Sequence, residues 1–330
     1  MTDFSNPANT YTNRIPLEDL KKAVADIRAE IGKLIVGQER TVDLLIAALL
    51  SDGHVLIEGV PGVAKTLTAK LLARTISVKF SRLQFTPDLM PSDVIGTSVF
   101  SMKTNEFEFK HGPIFASIVL IDEINRAPAK TQSALFESME ERQVTVDGKT
   151  YQLGSPFMVV ATQNPVEQEG TYRLPEAQLD RFLFKINVDY PSLQEETKII
   201  ADFHGRKNSM NLDSVKPVLN ADQLKYFREK VYSLHVEPNL LHYIAQIVNQ
   251  TRNNSALFLG ASPRASLAIL TSAKAIAAMR GRDFVTPDDI REVAVPVLQH
   301  RVMLTPEKEM EGQTARDVVK QIIQSVEIPR

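Results

Sequence analysis

The 330-residue chain contains no cysteine. Disulfides, thiolate metal sites, iron–sulfur clusters and cysteine nucleophiles are excluded by composition alone, in keeping with a reducing compartment. A surplus of positive charge is missing too. With 38 Lys and Arg against 40 Asp and Glu, the formal charge is −2. No global field draws in a polyanion, which disfavours a nucleic-acid partner. No apolar run approaches the roughly 20 residues needed to cross a bilayer. The opening stretch, MTDFSNPANTYTNRIP, lacks the cationic-then-apolar order of a signal peptide. The expectation is a cytoplasmic, unanchored protein. Repeats and low-complexity tracts are absent. The six histidines show no ligand-like spacing, which argues against a metal site built from protein alone.

What is present is an ordinary globular mix, 43% hydrophobic and 24% charged. The length suits one large domain or two with separate cores. Residues 1 to about 15 are polar and turn-rich, as in a loose tail. Apolar positions Leu20, Val24, Ile27, Ile31, Leu34 and Ile35 then recur at helical spacing. An IVGQ turn, Ile35 to Gln38, leads to a second helix. Five apolar runs follow, HVLIE from His54, RLQF from Arg82, SIVLI from Ser117, FMVVA from Phe157 and FLFKINV from Phe182. Continuous apolar strands separated by helical patterns predict a parallel sheet covered on both faces, a three-layer α/β domain. Two alternating stretches interrupt it, Val99–Lys110 and Gln143–Leu153, the latter around Asp147-Gly148. Both read as projecting β-hairpins. After Pro191 the pattern turns helical, with starts at Ser192, Ser262-Pro263 and Thr286-Pro287. The expected division is 1–191, an α/β core, and 192–330, a smaller all-α domain.

Residues 59 to 66 read GVPGVAKT, between a strand and a helix. This is the context that a phosphate-binding loop requires. Gly59 and Gly62 allow positive φ, so that consecutive N–H groups converge on an anion. The helix start adds partial positive charge. Lys65 is placed for the β and γ phosphates and Thr66 for Mg²⁺. Val60, Pro61, Val63 and Leu67 complete the expected nucleotide contacts. Ala64 stands where the usual pattern has its second glycine; a φ already negative at the helix start would make its methyl group acceptable.

The strand SIVLI ends in Asp122-Glu123. Asp122 there suits a Mg²⁺-bound water, and Glu123 suits a general base on the attacking water. The plainer reading is an acidic pair capping the next helix. Asn164, beyond the next strand, suits a γ-phosphate or water contact; a turn-forming Asn before Pro165 is the alternative. Arg264 sits in the first turn of a helix, where the dipole disfavours a cation unless an anion faces it; an acidic surface neighbour would also serve. Arg181, before the last strand, is a candidate for action on another subunit's nucleotide. A local ion pair to Asp180 or Glu176 is its alternative, and Arg126 and Arg173 compete for the role.

Taken in order, these segments resemble the MoxR family of AAA+ ATPases over almost the whole chain. GVPGVAKT is similar to that family's Walker A loop, IVLIDEINRAP to Walker B, ATQNP to sensor 1, LPEAQLDRF to the arginine-finger segment and GASPRAS to sensor 2. The resemblance implies a hexameric ring with ATP and Mg²⁺ between subunits, and a helical lid donating Arg264. It also places Val36 and Gly37 near adenine, and the hairpins as the helix-2 and pre-sensor-1 inserts. Implied work is chaperone-like: remodelling, maturation or cofactor insertion on a protein client, often with a von Willebrand A domain partner. The alternatives are a nucleic-acid motor, a metal-chelatase-like subunit and a passive nucleotide-gated adaptor. The hairpin tip, Lys103–Glu106, is a candidate client contact; most hairpin aromatics are expected to anchor their own domain.

Overall fold

The computed structural model describes residues 15–60, 62–164, 171–172, 174–205 and 211–329. Except for Ile15, the polar tail lies outside them.

Two helices, α1 (Glu18–Gly32) and α2 (Glu39–Leu50), precede β1 (His54–Gly59). The chain continues through α3 (Lys65–Thr75), β2 (Phe80–Gln84), α4 (Pro91–Ile95) and the hairpin β3 (Gly96–Ser101) and β4 (Glu106–His111). Then come β5 (Ile118–Asp122), α5 (Ala129–Glu141) and a second hairpin, β6 (Gln143–Val146) and β7 (Lys149–Gln152). The core closes with β8 (Met158–Gln163), α6 (Glu176–Leu179) and β9 (Phe182–Val188). The five strands of the main sheet are the five apolar runs of the sequence. They are parallel and ordered β2-β5-β8-β1-β9. At the second hairpin, Asp147 and Gly148 both have positive φ, 51° and 74°, the two-residue turn that matches strand twist.

The remaining chain is helical: α7 (Leu193–Gly205), α8 (Ala221–Tyr232), α9 (Pro238–Arg252), α10 (Pro263–Met279), α11 (Pro287–Leu298), α12 (Pro306–Met310) and α13 (Ala315–Ser325). Within it, β10 (Leu257–Leu259) pairs antiparallel with β11 (Met303–Leu304). The exclusively helical expectation therefore misses this one small ladder, which packs over Val318 and Ile322 of α13.

One expectation fails outright: the two parts do not have separate cores. A single apolar cluster runs from α1, α2 and α3, across one face of the sheet, into α8 to α11. The physical cause is α2, whose residues 44 to 50 are all buried, so that it packs on the sheet with one side and on α10 with the other. The opposite face of the sheet has its own cluster, built with α4 and α5 around Phe85, Phe136 and Phe182. Among the described residues no helix is long and apolar enough to cross a membrane.

His54, at the start of β1, is buried between these layers. Its Nδ1 accepts the Val159 N–H at 2.9 Å, and its Nε2 lies 3.3 Å from the Met139 carbonyl. Both contacts suit a neutral ring. Burial, with Arg142 nearby, pushes its pKa down from 6.5 to about 3. Since the folded value is depressed, the stabilisation is complete above pH 6.5 and is lost as pH falls toward 3. His54 alone should cost about 2 kcal/mol of stability at pH 5 relative to pH 7.5. Urea unfolding across that range measures it; a flat stability would contradict it.

Candidate functional site

The phosphate-type loop leaves β1 at Gly59 and enters α3 at Lys65. The strand order puts β8 between β1 and β5. The carboxyl end of β8, with Asn164, therefore lies between the loop and Asp122-Glu123. Three segments far apart in sequence meet at one sheet edge because parallel strands all point their carboxyl ends there.

The loop's stereochemistry departs from expectation at two points. Gly62 has φ +85° as foreseen, but Gly59 is not in the positive-φ region. What Gly59 needs is space, because a Cβ there would lie 2.6 Å from the Val188 carbonyl oxygen. Ala64, expected at negative φ, has φ 55° and ψ 21°. It occupies the left-handed region at a cost of roughly 1–2 kcal/mol for an L-residue. The contacts around it hold this turn: Thr68 Oγ1 donates to the Ala64 carbonyl at 3.0 Å, and Gln38 Nε2 donates to the Val63 carbonyl at 2.6 Å. Gln38 is thus a loop-bracing residue that the IVGQ turn concealed. Pro61 lies outside the described residues.

Lys65 Nζ donates to the Gly59 carbonyl, so its ammonium stays over the loop. Thr66 Oγ1 is 3.3 Å from Asp122 Oδ1, and Thr162 Oγ1 donates to the same oxygen at 3.2 Å. The Thr162 hydroxyl also accepts the Glu123 N–H at 3.1 Å. Glu123 sits at φ 56°, a conformation costing of order 1–3 kcal/mol for a residue with a side chain. The 3-10 turn Ile124–Arg126 follows directly. Arg126 pairs with Glu123 at 3.1 Å. Asn164 is buried.

Two further residues escaped sequence reading. On edge strand β2, Arg82 Nε donates to Asp122 Oδ2 at 2.7 Å, and Gln84 Nε2 donates to Glu123 Oε2 at 2.7 Å. Polar residues two apart in RLQF share a strand face, but only the β2–β5 pairing, with Gln84 opposite Asp122, reveals what they hold.

Beside the loop lies a cavity of about 440 Å³, within the range of small-ligand sites. Val36, Gly37, Gly62, Val63, Ala64 and Leu67 line it from the core, and Tyr190, Pro191, Val295, Pro296, Gln299 and Arg316 from the hinge and helical part. Gly37 has φ +75°, and a Cβ there would meet the Glu195 carboxyl group at 2.5 Å. The apolar walls suit a base, and the loop's amides suit phosphates. Asp122 and Thr66 supply hard oxygens for Mg²⁺, which characteristically takes few protein ligands and fills its shell from phosphate and water. Among the described residues no cluster of three or more His, Cys, Asp or Glu able to hold a metal occurs.

Arg181 and Arg264 are not part of this cavity. Phe182 is in register with His54, the first residue of β1. Arg181 therefore lies at the amino end of the sheet, about 17 Å of strand from Gly59. Its Nη1 donates to the Phe136 carbonyl at 2.7 Å and lies 3.6 Å from Glu140. Arg264 pairs with the same Glu140 at 2.8 Å. The alternative partners of Arg181, Asp180 and Glu176, form no ion pair with it among the described residues; Asp180 pairs instead with the buried Arg301 at 2.6 Å. Arg173 lies outside the described residues, as does Pro165.

At the first hairpin, Phe109 stacks on Tyr151 of the second, with ring centroids 4.3 Å apart. That aromatic anchors as expected. Met102 and Phe107, in contrast, are 92% and 72% exposed.

Comparison with known proteins gives the family. Residues 54–184 match the family model for the ATPase family associated with various cellular activities (AAA), and residues 249–322 match that for the AAA lid domain. The uncharacterized protein YeaC of Bacillus subtilis is 47% identical, over 94% of this chain and 97% of that protein. Chaperone MoxR1 of Mycobacterium tuberculosis is 45% identical, over 91% of this chain and 81% of that protein. A crystal structure of an ATPase candidate from Cytophaga hutchinsonii superposes with a TM-score of 0.87 at 41% identity, covering 94% of this chain and 97% of that one. The chain belongs to the MoxR family of AAA+ ATPases.

Proposed function

We propose that this chain hydrolyses Mg²⁺-bound ATP at the contact between two copies and uses the cycle to remodel a protein client. The observation that carries this reading is the placement of Arg181. It is exposed to solvent in part, cationic, and at the opposite end of the sheet from its own phosphate loop. A phosphate in its reach would belong to another copy, as in a ring; six copies is the number the family resemblance implies.

The division of labour follows from the site. Loop amides and Lys65 would bind the phosphates. Thr66 and Asp122 would hold Mg²⁺, which screens phosphate charge when bound. Glu123 would accept a proton from the attacking water as its oxygen forms a bond to the γ-phosphorus and the bond to ADP breaks. Asn164, between loop and base, would orient that water. Residues 1–191 would form the catalytic core and 192–330 the lid. The client contact would lie at the first hairpin, a reading supported by exposed Met102 and Phe107, which flank Lys103–Glu106. Across the two hairpins Lys103, Lys110 and Lys149 are offset by Glu106, Glu108 and Asp147, which favours protein over nucleic acid. A von Willebrand A domain protein is the partner the resemblance suggests.

Specific activity should rise with protein concentration until assembly is complete. Turnover per chain that stays constant on serial dilution, with no change in sedimentation, would sink the shared-site reading.

A further inference from the structure

The cavity holds a lid cation that neither the motifs nor the family description assign. Arg316 of α13 lines it, as do Pro296 and Gln299 of α11 and the loop residues Gly62 to Ala64. It stands second in α13, in the helix's first turn, where the aligned backbone dipoles repel positive charge. Arg264 occupies the equivalent place in α10, and there Glu140 offsets the cost at 2.8 Å. For Arg316 no carboxylate lies within ion-pair distance among the described residues. Its chain neighbour Asp317 is engaged by Thr314, whose hydroxyl donates to Asp317 Oδ2 at 2.5 Å. Lys185, another cation on the cavity wall, is already paired with Glu58 at 2.8 Å. Arg40, a third, belongs to the core and is exposed.

We infer that Arg316 is the residue by which the lid binds the charged part of the nucleotide held by its own chain. The inference rests on the nucleotide reading of this cavity and deepens it. The lid then faces two ways: Arg316 toward its own nucleotide, and Arg264, with Arg181 and Glu140, away from it. A half-buried guanidinium on the wall of a cavity that the loop also lines would complete an anion receptor. Because α13 packs on α9 and α11, charge on the nucleotide would bear directly on lid position.

The test is equilibrium binding of ATP, ADP and adenosine to full-length wild type, Arg316→Ala, Arg316→Lys and Lys320→Ala. Lys320 is exposed on the same helix and controls for mere loss of charge. Losing one charge-assisted contact should weaken ATP and ADP by roughly 10- to 100-fold. Adenosine should bind equally to all four proteins, Arg316→Lys should recover part of the loss, and Lys320→Ala should match wild type. Thermal unfolding of Arg316→Ala should be unchanged or slightly raised, because a cation leaves a helix start. Unaltered ATP binding by Arg316→Ala overturns the inference, as does an equal loss for adenosine or for Lys320→Ala. Wild-type protein that binds no nucleotide would overturn the reading of the cavity itself, and this inference with it.

Discussion

Glu123→Gln is expected to bind ATP as wild type does while turning it over about 10²- to 10⁴-fold more slowly, the range typical of losing a general base. The geometry explains why binding should survive. Among the described residues, the Glu123 carboxylate is held by Gln84 at 2.7 Å and Arg126 at 3.1 Å, both outside the loop. Glutamine is nearly isosteric and keeps an oxygen for both donors, but it cannot take a proton at neutral pH. The backbone at φ 56° is indifferent to the exchange, so stability should hold. Single-turnover hydrolysis and nucleotide binding, measured on the same preparation, separate the two effects. Hydrolysis within threefold of wild type would remove Glu123 as the base. A protein locked with ATP should also retain its client, so the same variant is the appropriate bait for a pull-down.

Arg181→Ala should lower turnover by about 10³- to 10⁵-fold, the range for an arginine acting on the transferring phosphoryl group from a second molecule, and leave ATP binding intact. A decisive form uses two inactive variants. Lys65→Ala should lose nucleotide binding but keep its arginine; Arg181→Ala should keep its nucleotide site but lack the arginine. Co-expressed and co-purified, they should regain a fraction of wild-type activity, since mixed contacts pair an intact site with an intact arginine. Failure to recover activity in co-assembled protein, with each variant still folded, would mean that the arginine and the site must belong to one chain. Arg126 would then take its place, because it stands beside Glu123 in the same active site. Arg181 is also structurally employed, through the Phe136 carbonyl, so Arg181→Lys is the companion variant. Loss of turnover there, with unfolding unchanged, separates the two roles.

Much of this was legible before any coordinates, and the reason is the range of the signals. The strand–loop–helix around GVPGVAKT, the Asp147-Gly148 turn and the SLQE capping box, in which the Ser192 N–H donates to Glu195 at 2.7 Å, are each decided by neighbours in sequence. Where an expectation failed, a distant contact had intervened. Ala64 stands at positive φ beside Val63, whose carbonyl is held by Gln38 from far earlier in the chain. Gly59 is glycine because β9 brings Val188 against it. Separate cores were expected from the change in composition near residue 191, yet α2 is apolar over enough of its circumference to serve both parts.

The amino-acid order by itself determined the elements, the candidate phosphate loop and the acidic pair at the end of β5, because dihedral preference, hydrophobic period and helix capping act over a few residues. Only the tertiary structure decided which end of the sheet each arginine occupies, that Arg82 and Gln84 grip Asp122 and Glu123, and that Arg316 rather than Arg264 enters the cavity. Those outcomes hang on the strand order β2-β5-β8-β1-β9 and on how the lid helices pack, and neither is a property of any one segment.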